Sequence, residues 1–517
     1  MELTARQYRA LCAICDAFLP SASGWPSATD RGVPNALAAA LDFNPRVIDR
    51  WEFLNLLDFW DSRLHSFFEV GTFSRFSDLP EEDKCRMLLS WADSSIVLRR
   101  AAFQALRKAI GFLYVMLPGS AGEPNAVWER IGYPGPVGVQ RPHAPRSLQA
   151  TTPENEVVLG CDVCVIGSGA GGGVAAAVFS AAGKEVIVLE AGGYFDDADF
   201  DGAELKGFER LYAECGFAST RDHSVGMLAG ECLGGGTVVN YTTSFRTPDD
   251  IRDEWADAGA AWVRGREFTR SLDAVCERLH VNCDHNRVSR REQVMERGLR
   301  RLGWRVEAMP RNVVGCEQGR ICGYCGYGCS IGAKQSTTKT WLVDAQAHGA
   351  RILVGTRAER VRVDRGSAVG VEARTKQGHR VVVKCRHVVV ACGAIHTAAL
   401  LLRSGLENRH IGRHLHLHPV SNVCGIFAEE IRPWEGTMQA IYSDQHRFLT
   451  ANYGVKYETT ALQPVIAMAV MPWREPGDYR ARMTELRHTA PIGVLVRDRG
   501  EGRVTTDREG HPVTSYS

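Results

Sequence analysis

Residues 161–193 read CDVCVIGSGAGGGVAAAVFSAAGKEVIVLEAGG, and few folds accommodate such a run. Apolar residues over 157–159 and 161–166 suit one buried parallel strand. An alanine-rich helix follows over 174–182, Gly183 stops it, and residues 185–189 read as a second strand. That is a βαβ unit of the length the motif demands. Gly167, Gly169 and Gly172 sit at G-x-G-x-x-G spacing between the strand and the helix. The first permits the tight turn, the second lets backbone approach a pyrophosphate, and the third lets helix and strand pack closely. The anion would rest on helix N-terminal N–H groups, and Glu190, ending the second strand, can accept hydrogen bonds from ribose hydroxyls. The unit predicts a doubly wound α/β domain that binds a dinucleotide. By itself it does not separate a flavin from a nicotinamide.

Two later segments bear on that choice. Residues 230–241 read GECLGGGTVVNY, and residues 388–406 read VVVACGAIHTAALLLRSGL, followed by IGRHLHLHP. Together with the fingerprint and LEAGG, they resemble the glucose–methanol–choline (GMC) family of flavin oxidoreductases, and more narrowly its long-chain fatty alcohol oxidase branch. The opening LTARQYRALCAICDAFLP and the stretch CEQGRICGYCGYGCSIGAKQSTTKTWL are similar to segments of that branch. The resemblance implies FAD as cofactor, held by a Rossmann-like domain with an inserted mixed α+β substrate domain. It places the turn carrying Gly234, Gly235, Thr237 and Asn240 against the isoalloxazine, the turn at Gly393 against the cofactor, and the backbone of Ala358 beside the adenine. The reaction implied is hydride transfer from a primary long-chain alcohol to the flavin, giving the aldehyde, with oxygen or another acceptor taking the electrons. A positioned base, usually histidine, takes the alcohol proton. Other GMC dehydrogenase or sterol-type oxidase substrates remain open.

The family supplies that base from a C-terminal histidine, and the resemblance puts Ser517 inside the substrate domain. The expectation is therefore a C-terminally incomplete chain, its catalytic histidine beyond residue 517. His511 reads as a turn residue. The predicted organisation is a helical extension (1–133), a linker (134–156) with five prolines, two parts of the FAD-binding domain (157–250 and 310–419), a cap region (251–309) and a truncated substrate domain (420–517). In the extension, Thr4 and Gln7 form a capping box, and Pro80 with Glu81, Glu82 and Asp83 suits a helix first turn.

Composition narrows the rest. Lys+Arg 61 against Asp+Glu 60 lacks the basic excess of a general nucleic-acid binder. The N-terminus lacks a signal-peptide pattern, which with 16 cysteines suggests reduced thiols in a soluble, cytoplasmic chain. Residues 109–117, AIGFLYVML, are half the length of a membrane span and follow Arg107 and Lys108, which favours a soluble protein and leaves peripheral membrane contact through them as the alternative. Cys316, Cys322, Cys325 and Cys329 either hold zinc or an iron–sulfur cluster or form a tight loop near the active site. His414, His416 and His418 would share one face of a strand, open to metal binding or to simple connection of two domains. Cys161 and Cys164 would face opposite sides of a strand, as core. The aromatic segment 442–457 would line the substrate domain. A nicotinamide dehydrogenase, a non-catalytic flavoprotein remnant and an iron–sulfur carrier are the rival readings.

Overall fold

The computed structural model describes residues 3–41, 46–119, 125–136, 146–317, 322–451 and 453–516. Its centre is an all-parallel five-stranded sheet with the order Ala150–Thr151, Arg351–Leu353, Val186–Leu189, Val163–Ile166, His387–Val390. Val163–Ile166 and Val186–Leu189 are buried along their whole length, as strands covered on both faces must be. One face packs through Val163, Val165, Val186 and Val188 against Ala176, Ala177, Leu342 and Ala345, on the helices Ala170–Ala181 and Trp341–Ala347. The other face meets a four-stranded sheet, Val157–Gly160, Arg380–Lys384, Ser367–Thr375 and Thr356–Asp364, and Leu400 of the helix Gly393–Arg403. The Rossmann-like α/β fold is the one the fingerprint predicts.

One expected strand is two. Residues 157–166 divide at Cys161 and Asp162, the first half joining the four-stranded sheet and the second the parallel one. Residues 380–390 divide in the same way at Cys385 and Arg386. Asp162 holds the break: it accepts from the Glu185 N–H at 3.1 Å and pairs with Arg386 at 2.7 Å. Because Cys161 lies outside the regular strand, the alternation rule does not reach it. Cys161 and Cys164 therefore do not face opposite sides; both pack in the cluster that contains Cys385.

The N-terminal helix Ala5–Phe18 starts at Thr4 with both arms of the capping box in place, and Pro80 caps Glu81–Ala92. These helices are not a separate layer. Leu11, Phe18, Phe103 and Ile110 share one core with Val465, Met468, Trp473 and Tyr479 near the other end of the chain. Arg107, buried on Val97–Met116, donates to the carbonyls of Ala469, at 3.0 Å, and Met471. Residues 109–116 lie inside this core. Their length and apolarity fit a helix buried among other helices equally well. The exposed apolar side chains stand elsewhere, on Trp51, Leu64, Phe67, Phe68 and Leu98. Among the described residues no helix is long and apolar enough to cross a membrane.

The described end of the proline-rich segment supplies the edge strand Ala150–Thr151 of the parallel sheet; residues 137–145 lie outside the described residues. A five-stranded antiparallel sheet, built from Val420–Ile426, Thr489–Val496, Val455–Glu458, Ile441–Ser443 and Glu307–Ala308, forms a second body of structure. It takes in the aromatic segment: Tyr442 donates to Glu307 at 2.6 Å, and the Lys456 ammonium stands 3.3 Å from the Phe245 ring centre. The histidines at 414, 416 and 418 do not share a strand face. They precede the strand, His414 takes a positive φ of 61°, and its ring pairs with Glu501.

Candidate functional site

Val163–Ile166 and His387–Val390 run side by side, and each passes through a glycine turn straight into a helix. The sheet order sends the chain to one side of Val163–Ile166 through Val186–Leu189 and to the other through His387–Val390. The carboxyl ends of these strands are thus a topological switch point, where open α/β sheets bind ligands. Ala170, Gly171, Gly393 and Ala394, the first residues of the two helices, are exposed there. Both helices therefore direct unpaired N–H groups and a positive dipole end toward the same crevice.

The three fingerprint glycines differ in what they do. Gly167 has φ +93°, and a Cβ on it would lie 2.4 Å from the Ala391 carbonyl oxygen. A Cβ on Gly172 would lie 1.9 Å from the Gly167 oxygen. Both positions are closed to any side chain by the chain's own backbone. Gly169 is different: its φ of −64° and ψ of −161° suit any residue, and a Cβ there would meet nothing within 4 Å. Nothing in the protein asks for glycine at 169. The open space beside it is the space a closely approaching ligand would use.

Glu190 is buried directly below this turn. Its Oε2 accepts from the Ser168 N–H at 3.1 Å and the Ser168 hydroxyl at 2.6 Å, and its Oε1 accepts from the Gly192 N–H at 2.9 Å. A carboxylate offers four acceptor positions, so one, on Oε1, remains for a ligand hydroxyl. Burial pushes its pKa above the ordinary carboxylate value, against the pull of those N–H and hydroxyl donors.

Ser168 carries the bonding onward. Its hydroxyl accepts from the Gly234 N–H at 2.8 Å, fixing the second glycine turn on the first. A Cβ on Gly235 would lie 3.1 Å from the Gly169 Cα, so the two turns touch. The Thr237 hydroxyl donates to the Gly234 carbonyl at 2.6 Å and accepts from the Thr337 N–H at 3.1 Å; the Thr337 hydroxyl returns to the Ser168 carbonyl at 3.0 Å. Lys334, fully buried, donates to the carbonyls of Val238 and Asn240 and, at 2.7 Å, to that of Cys325.

The structure thus brings Gly167, Gly169, Gly172, Glu190, Gly234, Gly235 and Thr237 together, with Gly393 at the head of the neighbouring helix. It does not bring the Asn240 side chain to them: that amide oxygen accepts from the Thr242 N–H at 3.2 Å, inside its own loop. Ala358 lies on Thr356–Asp364 in the four-stranded sheet, where its carbonyl accepts from Arg403 at 3.4 Å. Ser168, Thr337 and Lys334 escaped the sequence reading. The available signal was the polar run 334–340, KQSTTKT, too hydroxyl-rich for a loop whose members are mostly buried.

Cys316 and Cys322 are buried together, Cys325 packs separately against Met438 and Ala461, and Cys329 lies beside the first pair. Among the described residues no group of three or more histidine, cysteine or acidic side chains is arranged to hold a metal ion. His511 sits in the turn between Arg503–Thr506 and Pro512–Ser515, its N–H held by Asp507 at 2.8 Å.

Residues 208–420 match the GMC oxidoreductase family model. The chain is 31% identical to the long-chain-alcohol oxidase FAO4A of Arabidopsis thaliana, over 96% of this chain and 79% of that protein. It is 38% identical to FAO4B of the same plant, over 69% of this chain and 50% of that one. Among solved structures, pyridoxine 4-oxidase of Mesorbium loti shares the fold, with a TM-score of 0.51 and 15% identity over 69% of this chain and 75% of that one. With a paired glycine-turn crevice, the family-model match and a relative 31% identical over 96% of this chain, the chain belongs to the GMC oxidoreductase family.

Proposed function

We propose that the chain is an FAD-dependent oxidoreductase that oxidises a primary long-chain alcohol to the aldehyde and passes the electrons to oxygen or another acceptor. The observation that carries the cofactor assignment is Gly169, a glycine that no contact within the protein requires, between two exposed helix N-termini. The N–H groups at Ala170 and Gly171 would hold the pyrophosphate, and the free acceptor of Glu190 a ribose hydroxyl. The turn from Gly234 to Thr237, pinned by Ser168 and Thr337, would present backbone to the flavin ring, with Ala358 toward the adenine and Gly393 facing the cofactor. FAD supplies a two-electron acceptor at its ring, which no side chain can provide.

The chain's own part is to bind, orient and exclude water, while the alcohol proton goes to a base. Neither described histidine near the crevice is given that role. His396 is half-buried on Gly393–Arg403, where desolvation and the nearby Arg357 hold its pKa down to about 4. His511 is committed to its turn. The alcohol assignment rests on the likeness to FAO4A and FAO4B, and lies one step beyond the fold.

Anaerobic mixing of the FAD-loaded protein with a primary alcohol of about a dozen carbons tests it. Bleaching of the flavin absorbance, with aldehyde formed in equal amount, is the expected result. A yellow protein that no alcohol bleaches would overturn alcohol oxidation by this chain, favour a flavoprotein without its base, and leave the cofactor reading intact. A protein that takes up no FAD would overturn both. Peripheral membrane contact would be made through exposed apolar side chains such as Trp51, Leu64 and Phe68.

A further inference from the structure

The cysteine-rich loop places two buried sulfurs, Cys316 and Cys322, 3.9 Å apart. They share a small apolar cluster with Val313 and Ala333. The buried Arg311 guanidinium stands 3.6 Å from the Cys316 sulfur; its other donors go to the Thr242 hydroxyl at 3.0 Å and the His285 carbonyl at 2.8 Å. A fixed cation beside a thiol favours the thiolate, the form that reacts with oxidants. In that setting one sulfur has a charge partner and the other is within reach of it.

We propose that Cys316 and Cys322 are a redox-active dithiol that hydrogen peroxide converts to a disulfide. The Cys316 thiolate attacks a peroxide oxygen: an S–O bond forms, the O–O bond breaks, and the departing hydroxide leaves as water after taking a proton. The Cys322 sulfur then attacks the sulfenic sulfur: the S–S bond forms, the S–O bond breaks, and the second water departs. Two thiols and one peroxide give one disulfide and two waters. The sulfurs have to close from 3.9 Å to about 2.05 Å to form the bond. The neighbouring Cys316 sulfur and burial both push the Cys322 thiol well above its ordinary pKa, and Cys316 is the sulfur that faces the Arg311 guanidinium.

Location gives the modification a route to the site. Arg311 is bonded to Thr242, two residues beyond Asn240 at the end of the second glycine turn. Oxidation takes the anionic sulfur away from Arg311 and leaves that side chain to reorganise against the backbone that follows the turn. Peroxide is also what oxygen becomes when it accepts two electrons, so on the proposed function the oxidant would arise in the same molecule. The dithiol chemistry itself does not depend on that reading.

The test uses the full chain, reduced and without alcohol, treated with hydrogen peroxide, blocked with an alkylating agent and digested by trypsin without reduction. Arg320 separates the two cysteines, so trypsin leaves them on different peptides. The expected product is a cross-linked pair of peptides joined through Cys316 and Cys322. It should be absent in Cys316→Ser and in Cys322→Ser, and should form at least about tenfold more slowly in Arg311→Met, the change expected for one pKa unit at the thiolate. If Arg311→Met does not fold, the two serine variants still decide the linkage. The exposed Cys283 and Cys424 serve as internal controls for peroxide exposure. The proposal is overturned if those two are oxidised while Cys316 and Cys322 remain alkylatable, if Cys322 joins Cys325 or Cys329 instead, or if the purified protein carries a stoichiometric metal that protects all four.

Discussion

Replacing Gly169 and Gly172 by alanine, one at a time, separates glycines that serve the ligand from glycines that serve the fold. At Gly172 the new methyl would stand 1.9 Å from the Gly167 carbonyl oxygen and 2.8 Å from its carbon, both backbone atoms that cannot rotate aside. Alanine gains about 1 kcal/mol of helix propensity over glycine there. Overpacking against fixed neighbours costs about 1–3 kcal/mol and more when backbone must move, so Gly172→Ala is expected to lower stability even without cofactor. At Gly169 the methyl meets nothing within 4 Å and the backbone is already in an extended region. Reduced freedom of the unfolded chain and the weaker N-cap preference of alanine each contribute less than about 1 kcal/mol, with opposite signs. Gly169→Ala should therefore unfold within about 1 kcal/mol of the parent. Its methyl would occupy the space beside the helix N-terminus. Losing one or two N–H bonds to a charged phosphate, at about 1.5–3 kcal/mol each, raises the Kd for FAD about tenfold to a hundredfold or beyond. Denaturant unfolding of the FAD-free chain and titration of flavin fluorescence give the two numbers independently. A Gly169→Ala protein that binds FAD like the parent, or that loses stability as Gly172→Ala does, would refute the reasoning.

Three further outcomes follow from buried polar groups. Burial raises the Glu204 pKa from 4.5 to about 8, so between those values the native state holds a proton that the unfolded state has released. Stability contributed by the protonated form is present below about 4.5 and declines, at about 1.4 kcal/mol per pH unit, as pH rises toward 8; Glu204→Gln should be the more stable protein at pH 8, with the difference shrinking at pH 5.5 in urea unfolding. Lys334→Met leaves three buried carbonyls without their ammonium donor and should cost about 3 kcal/mol, visible as a lower midpoint in the same assay. Ser168→Ala strands the buried Gly234 N–H, an expected loss of about 1–3 kcal/mol, and should also weaken FAD binding because the second glycine turn is no longer pinned.

Much of this was legible in the sequence wherever the cause is local. The Thr4–Gln7 capping box depends on residues three apart, and the structure has both of its bonds. Gly183 ends its helix with a φ of +74°, a conformation glycine takes freely. What escaped was pairing over long separations. Local pattern joined residues 157–166 into one strand because nothing within that segment announces that Val157 pairs with Val381 while Val163 pairs with Val186 and His387. The partners of the apolar run 109–117 escaped for a related reason: the burial of residues 109–116 against Met468 and Tyr479 depends on residues more than 350 positions away. The Asn240 amide oxygen accepts from the Thr242 N–H, a turn geometry that motif spacing does not encode.

The three fingerprint glycines mark the boundary most clearly. Sequence alone determined that a strand, a glycine-rich turn, a helix, a second strand and an acidic end follow one another, because each depends on backbone preferences within a few residues. Only the tertiary structure decided which glycine serves what. Gly167 is closed by Ala391, Gly172 by Gly167 itself, and Gly169 by nothing, and that difference is set by atoms brought into contact through folding. Spacing along a chain fixes the backbone's permitted angles; van der Waals distance between remote segments fixes the room left for a ligand.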